Sequence, residues 1–262
     1  MRSERSTAVR LRRRGEYGFD GTITGLLAIS VVTVALPVAA VELVQAGLFG
    51  AAVAAAFAFS LVLSILGFSI HTTRRGKFLV WREILDGLNL HGDERVLDVG
   101  CGRGAVLTML AERLPRGRVV GVDMWTADQS GNGPEAAERN LFAEGVHERC
   151  EIVTGDMRSM PFSSASFDVV VSSLAVHNVP HREGRDQAIR EIARVLRPGG
   201  RLAVVDLAFT ARYAQQLKSF GLLQVRRRRL GWRFWWGPAV PSTQLVLAVA
   251  QPPKPAPGPS LA

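Results

Sequence analysis

Val96-Leu97-Asp98-Val99-Gly100-Cys101-Gly102-Arg103-Gly104 is the stretch on which the reading of this chain turns. Arg95 to Val99 has the composition of a short buried strand, and it runs into three alternate glycines. Leu107, Leu110, Ala111 and Leu114 then return at helical spacing and stop at Pro115. Glycine permits tight turns and lets a ligand approach the backbone where a Cβ would stand in the way. A plain structural turn has the same composition, so the glycines alone are a weak signal. Asp123 strengthens it by closing the next strand, Arg118 to Val122, where a carboxylate can accept hydrogen bonds from both hydroxyls of a ribose. The glycine spacing departs from the dinucleotide fingerprint, and Asp98 at the loop entrance would repel a pyrophosphate. An acid there suits an amino group. The expected ligand is cationic, carries a ribose and lacks phosphates.

Outward from this stretch the chain alternates strand and helix. Phe78, Trp81, Leu85 and Leu88 share one helical face before the first strand. After the second strand, Pro134 is placed to start a helix and Gly145 to end it. Strands are predicted near Glu151 to Val153 and Phe167 to Val171, then a helix through Ala188, Ile189, Ile192, Val195 and Leu196 that Pro198, Gly199 and Gly200 stop. Arg201 to Leu207 reads as a strand, Ala211 to Phe220 as a short helix, and residues 222–230 and 243–250 as two last strands. Such alternation implies a parallel sheet covered on both faces. The last two strands have no helix between them, so one runs antiparallel.

In that order the segments resemble class I S-adenosylmethionine-dependent methyltransferases of the small-molecule, quinone and lipid type, over about Arg74 to Gln251. Val96 to Gly104 is similar to their first motif and Gly121-Val122-Asp123 to their ribose acid. Gly155-Asp156-Met157, with Met160-Pro161-Phe162, resembles their adenine-binding segment. Phe167 to Ser173 resembles their fourth strand, and Arg194 to Leu202 their turn into strand five. The resemblance implies an α/β, Rossmann-like sheet of seven strands in the order 3-2-1-4-5-7-6, with strand 7 antiparallel, and S-adenosylmethionine as cofactor. It further implies that Gly100, Cys101 and Gly102 line the methionine moiety and that Asp98 faces its amino group. Asp123 would hold the ribose and Asp156 the adenine amino group, with Met124 and Met157 on either side of the ring. Ser172 would belong to the floor of the methionine site. Asp98 equally suits a cap or turn, and the two methionines suit ordinary core positions.

The acceptor site belongs after strand four, where parallel sheets open their crevice. His177, Asn178 and His181 fall there, and His177 is the candidate catalytic base because its ordinary pKa lies near neutrality. A loop histidine bonded to backbone is the plain alternative. Asp128, Asn132 and the segment His71 to Lys77 are further candidates to face the acceptor. Amino-methyltransferases of DNA carry an Asn/Asp-Pro-Pro-aromatic stretch after strand four, whereas here it reads Ser172-Ser173-Leu174-Ala175. Cys150 is the single cysteine outside the glycine loop, too few for arsenite methylation, and no metal site is expected.

Ahead of this domain lie two runs without formal charge, Thr22 to Ala40 and Leu43 to Ile70. As helices they would measure roughly 28 and 42 Å against a hydrocarbon core of about 30 Å. Small residues recur at Gly47, Ala51, Ala55 and at Gly50, Ala54, Ala58, and Pro37 would kink or end the first helix. A transmembrane hairpin is the reading favoured over a cleaved signal peptide, two buried core helices, or one span with one buried helix. The expected organisation is a basic arm (1–21), a hairpin (22–70), a methyltransferase domain (71–251) and a Pro-rich tail (252–262). Residues 1–14 hold six Arg and one Glu, Arg74, Arg75 and Lys77 follow the hairpin, and its connection has neither Lys nor Arg. The positive-inside rule then puts both ends in the cytoplasm, at the cell membrane.

The formal charge of +9 divides into +5 in residues 1–14, +5 in residues 226–233, and −1 elsewhere. Two patches on a neutral body do not make a nucleic-acid-binding face. Arg226 to Arg229 with Trp232, Arg233, Phe234, Trp235 and Trp236 suits a membrane interface, or an edge strand with tryptophans in the core, more than single-stranded nucleic acid. The function expected is a membrane-anchored methyltransferase with a small, hydrophobic acceptor. A non-catalytic S-adenosylmethionine-binding membrane adaptor is the alternative.

Overall fold

The computed structural model describes residues 13–18, 23–126, 131–237 and 240–252, with side chains of the first helix described from Ile29 onward. Most of the basic arm, Asp128 and the Pro-rich tail lie outside the described residues. Seven strands form one sheet: β1 (Arg95–Val99), β2 (Arg118–Asp123), β3 (Cys150–Thr154), β4 (Phe167–Ser173), β5 (Leu196–Asp206), β6 (Leu223–Arg229) and β7 (Gln244–Val249). Their order is β3-β2-β1-β4-β5-β7-β6, and β7 runs antiparallel to both β5 and β6. The expected order and direction are both met. One boundary differs: Pro198-Gly199-Gly200 lies inside β5 rather than before it, because Leu196 already pairs with Phe167 and the ladder shifts before Val169 meets Arg201.

Period-two alternation sorts the strand residues between the faces. Val96, Val119, Val169, Val171, Ala203 and Val205 pack on one side, against α3 (Lys77–Gly87) and α4 (Ala105–Ala111). Leu97, Val99, Val120, Val122, Val170, Leu202 and Val204 pack on the other, against α6 (Arg182–Val195) and α7 (Thr210–Ser219). The remaining domain helix, α5 (Pro134–Glu144), starts on its proline and is capped by left-handed Gly145, as its sequence predicts. Parity therefore turns Asp98 and Ser173 toward the α3/α4 side, and Ser172 and Asp206 toward the other.

The N-terminal third contains two antiparallel helices in contact, α1 (Ile23–Gln45) and α2 (Phe49–His71). The turn between them lies at residues 46–48, later than expected, since α1 carries on through Pro37 and Glu42. Among the described residues one helix is long and apolar enough to cross a membrane, running from Phe49 to Gly87; α1 contributes the shorter apolar stretch Ile29–Gln45. One candidate span thus stands where two were expected. Both helices hold large apolar side chains outward, with Val34 69% and Phe57 74% exposed. Exposed apolar surface on this scale marks a membrane or a partner.

No linker separates these helices from the sheet. A π-helical turn, Thr72–Gly76, joins α2 directly to α3, whose Val80, Trp81, Ile84 and Leu85 are core residues. The segment after β6 locks the joint. Thr72 Oγ1 donates to the Trp235 carbonyl (2.6 Å), Phe68 packs on Trp235 (ring centroids 5.3 Å apart) and His71 on Trp232 (5.2 Å). A Cβ on Gly76 would lie 1.7 Å from the Arg233 carbonyl oxygen, whereas one on Gly87 would meet nothing within 4 Å. Gly76→Ala is therefore expected to lower stability by about 1–3 kcal/mol or more. Gly87→Ala, at the end of the same helix, is expected to be neutral or to stabilise by up to about 1 kcal/mol. Thermal unfolding of the two full-length variants in one detergent checks the pair. Equal midpoints would show that the joint is not packed as described.

Candidate functional site

A cavity of about 730 Å³ lies at the C-terminal ends of β1, β2 and β4, within the range of small-molecule sites. The glycine loop forms its inner wall. Gly100 takes a left-handed φ of 71°, and a Cβ there would fall 2.2 Å from that of Ala175 in the loop after β4. The Gly100 amide donates to the Val122 carbonyl (2.8 Å) and the Gly102 amide to Asp123 Oδ2 (2.8 Å). Asp123 Oδ1 accepts from the Trp125 amide (2.7 Å). Asp123 thus clamps the glycine loop to the end of β2. Cys101 packs over Gly121, whose absent Cβ would come 2.8 Å from its sulfur. Burial raises the Cys101 thiol pKa well above its ordinary value, which leaves it an inert wall.

Asp98 is 1% exposed and lines the cavity, and among the described residues no donor makes a full hydrogen bond to either carboxyl oxygen. Burial first, then the neighbouring charge of Asp123, pushes its pKa up to about 8, against a smaller opposing pull from the Leu107 amide. An orphaned buried acid costs stability and calls for a cationic donor. The methionine-moiety ammonium of S-adenosylmethionine is such a donor, and the residues present fit that cofactor. Gly100, Cys101, Gly102, Met124, Asp156 and Met157 also line the cavity, so the structure brings them together.

Two of the expected residues differ in detail. Asp156 is engaged by Arg158, whose Nε, Nη2 and amide all reach the carboxylate (2.6–3.0 Å) and hold its pKa below the ordinary value. Ser172 is fully buried and donates to the Val99 carbonyl (2.8 Å), so it does not line the cavity; strand alternation presents Ser173 instead. Met124 is 49% exposed at the cavity, which sets aside the ordinary-core alternative for it.

The other end of the cavity belongs to different elements. His177 and Asn178, in a short 3₁₀ turn after β4, line it together with Asn132, while His181 precedes α6 as its N-cap and takes no part. The His177 ring is bonded through Nδ1 to Asp206 at the end of β5. Lys77, Phe78 and Trp81 of α3 form a wall, with Trp81 Nε1 donating to Ser173 Oγ (2.9 Å). Ile29 of α1, Ile65 and Ser69 of α2, and Trp236 complete it. The aromatic cluster therefore divides: Phe234 and Trp236 are core, Trp235 meets α2, and Trp232 is 60% exposed. Arg226 to Arg229 are exposed on the edge strand β6. Asp206 had a signal that the sequence reading passed over, an acid closing an apolar parallel strand as Asp123 does. The contribution of α1 and α2 had none.

The family model described as a methyltransferase domain matches residues 97–204. The chain is 36% identical over 125 residues to methyltransferase GfsG of Streptomyces halstedii, covering 48% of this chain and 42% of that protein. It is 32% identical over 144 residues to a demethylmenaquinone methyltransferase of Listeria monocytogenes, covering 55% and 54%. The chain spans about half the length of these relatives. A solved structure of a SAM-dependent methyltransferase from Aquifex aeolicus superposes with a TM-score of 0.51 at 18% identity, over 64% of this chain and 88% of that one, which shows the shared fold. Residues 97–204 thus match a methyltransferase domain, and the cavity lining fits S-adenosylmethionine as its cofactor.

The state of Asp98 yields a measurable consequence. At pH 7 a group with a pKa of about 8 is mostly protonated, and an ammonium beside it favours the ionised form. Cofactor binding at pH 7 is therefore expected to release roughly one proton, and the release should vanish above the free pKa. Calorimetry in buffers of different ionisation enthalpy measures it. Asp98→Asn should bind more weakly and release none, and proton uptake by the native chain would contradict the assignment.

Proposed function

We propose that the chain is a membrane-anchored, S-adenosylmethionine-dependent class I methyltransferase acting on a small hydrophobic acceptor dissolved in the bilayer. The observation that carries this reading is the continuity of one cavity from Asp98 and Gly100 to Ile29, Ile65 and Ser69. A soluble acceptor would have no use for walls supplied by two apolar helices. Arg74 and Arg75, exposed where α2 meets the domain, and the absence of Lys and Arg from the 46–48 turn support a catalytic domain on the cytoplasmic side. The demethylmenaquinone methyltransferase among the relatives has a lipophilic acceptor by name.

When bound, the cofactor supplies an electrophilic methyl group on a sulfonium. The chain's own work is to orient and to exclude water. Asp98 and the glycine loop hold the methionine end, Asp123 the ribose, and Asp156 with Met124 and Met157 the adenine. Phe78, Trp81, Ile65 and Trp236 wall off an apolar space beside them, and confinement to the membrane raises the local concentration of an acceptor there. His177 faces that space as the base.

Full-length protein in vesicles prepared with lipid and quinone extract, given methyl-labelled S-adenosylmethionine, is expected to put label into the organic-soluble fraction. Ser69→Phe narrows the far end of the cavity and should reduce transfer by about tenfold or more. Cofactor affinity should stay within about twofold, since position 69 does not belong to the cofactor wall. Label confined to water-soluble compounds would defeat the hydrophobic-acceptor reading. Cofactor binding without any transfer would favour the adaptor.

A further inference from the structure

Asp206 is a fully buried carboxylate in which every acceptor position is used. Oδ1 takes His177 Nδ1 and the Leu207 amide (2.8 Å); Oδ2 takes the His177 amide (3.0 Å) and the Tyr213 hydroxyl (3.3 Å). Two of these four donors are main-chain N–H groups, whose role is fixed. Tyr213 is itself buried, and burial and the Asp206 charge raise its pKa well above the ordinary value, so it remains a donor. The three donors of fixed role, two amides and the Tyr213 hydroxyl, already make the environment of an ionised carboxylate. An ionised carboxylate only accepts, so His177 Nδ1 carries the hydrogen and Nε2 carries the lone pair. The same carboxylate holds both the ring and the main chain of His177, which removes the freedom a loop histidine would otherwise have. The His177 side chain is 23% exposed and lines the cavity, while Asp206 is 0% exposed.

We propose that Asp206 is the positioning residue that fixes His177 as the Nδ1–H tautomer with Nε2 turned to the acceptor space, and that the acceptor is a protic nucleophile. This rests on the reading of that space as the acceptor site. A base is needed where loss of a proton frees the nucleophilic pair, as in a ring hydroxyl, an enol or an ammonium group. A sulfide or a carboxylate needs none. The bond from that atom to its hydrogen breaks, the proton passes to Nε2, and the bonding pair remains on the atom as the nucleophilic pair. The resulting imidazolium lies against the carboxylate of Asp206, and proton transfer of this kind typically contributes about 10²- to 10⁴-fold in rate. Asp206 itself keeps its charge throughout and takes up no proton.

The test is nitrogen NMR of the full-length protein in detergent with ¹⁵N-labelled histidine, His177→Gln identifying the resonances by their loss. At a pH where the ring is neutral, wild-type His177 is expected to show a protonated Nδ1 and an unprotonated Nε2. Asp206→Asn should abolish that single tautomer while cofactor affinity stays within about twofold. Tyr213→Phe, which removes only the longest of the four contacts, should leave the tautomer as it is. In the vesicle assay, Asp206→Asn should lower kcat by about a hundredfold or more with little change in the acceptor KM. An Nε2–H tautomer in the wild-type protein overturns the proposal, and needs no variant to fold. A tautomer unchanged in Asp206→Asn also overturns it. A correct tautomer alongside label confined to water-soluble compounds would instead leave the dyad standing and remove the hydrophobic acceptor.

Discussion

The carbonyl of Arg233 occupies the place where any residue but glycine at position 76 would put its Cβ. That approach joins the apolar helices to the sheet. It seats the π-helical turn against the segment after β6, so the axis of α2 continues into α3 and Trp81 enters the core beside Ser173. Local insertions of this kind in helices often accompany function. Here the turn places Lys77 and Phe78 on the wall of the same cavity as Ser69 and Ile65. A flexible linker in the same place would leave no shared cavity, because nothing would hold the side chains of the apolar helices at the site.

The arm ahead of α1 adds a second attachment. Glu144 accepts from the amides of Arg14 and Gly15 (2.9 and 3.1 Å), and Asn140 bridges the Glu16 backbone to the Arg103 carbonyl in the glycine loop (2.8 Å to Arg103). Tyr17 packs edge-on against Phe78 with ring centroids 5.4 Å apart. The segments on either side of the apolar helices therefore both end on walls of one cavity. Its electrostatics are graded to match. Burial raises the pKa of Asp98, Asp123 accepts from two backbone amides, and donors converge on both oxygens of Asp206. Three carboxyl groups of similar intrinsic acidity thus have different surroundings.

Most of the fold was legible because strand and helix periods differ and because proline and glycine punctuate them. Arg95 to Val99 is apolar between a charge and a glycine loop, and Pro134 and Gly145 bracket α5; such local signals need no knowledge of the rest of the chain. The cofactor side was legible for a related reason: Asp98, the glycines and Asp123 lie within two consecutive strand–loop units. Ser172 was misassigned by one residue, and in a strand one residue is the opposite face. Asp156 was placed at the cavity, but its pairing with Arg158 depends on a side-chain conformation that spacing does not encode.

What the sequence determined by itself is the set of segments, their order in the sheet, and the ligand-facing backbone at Gly100 to Gly104, since each follows from local periodicity and from contacts between neighbours in the chain. The tertiary structure decided the rest of the site. It brought Asp206 to His177 across 29 positions, and Ile29 and Ile65 to a cavity whose other wall is residues 98–102. It also made two apolar helices, whose composition alone says nothing of the site, part of the wall of that cavity. The physical reason is that these contacts join residues distant in the chain, and their geometry is set by the helix joint at Gly76 and the packing of α3, neither of which has a periodic signature.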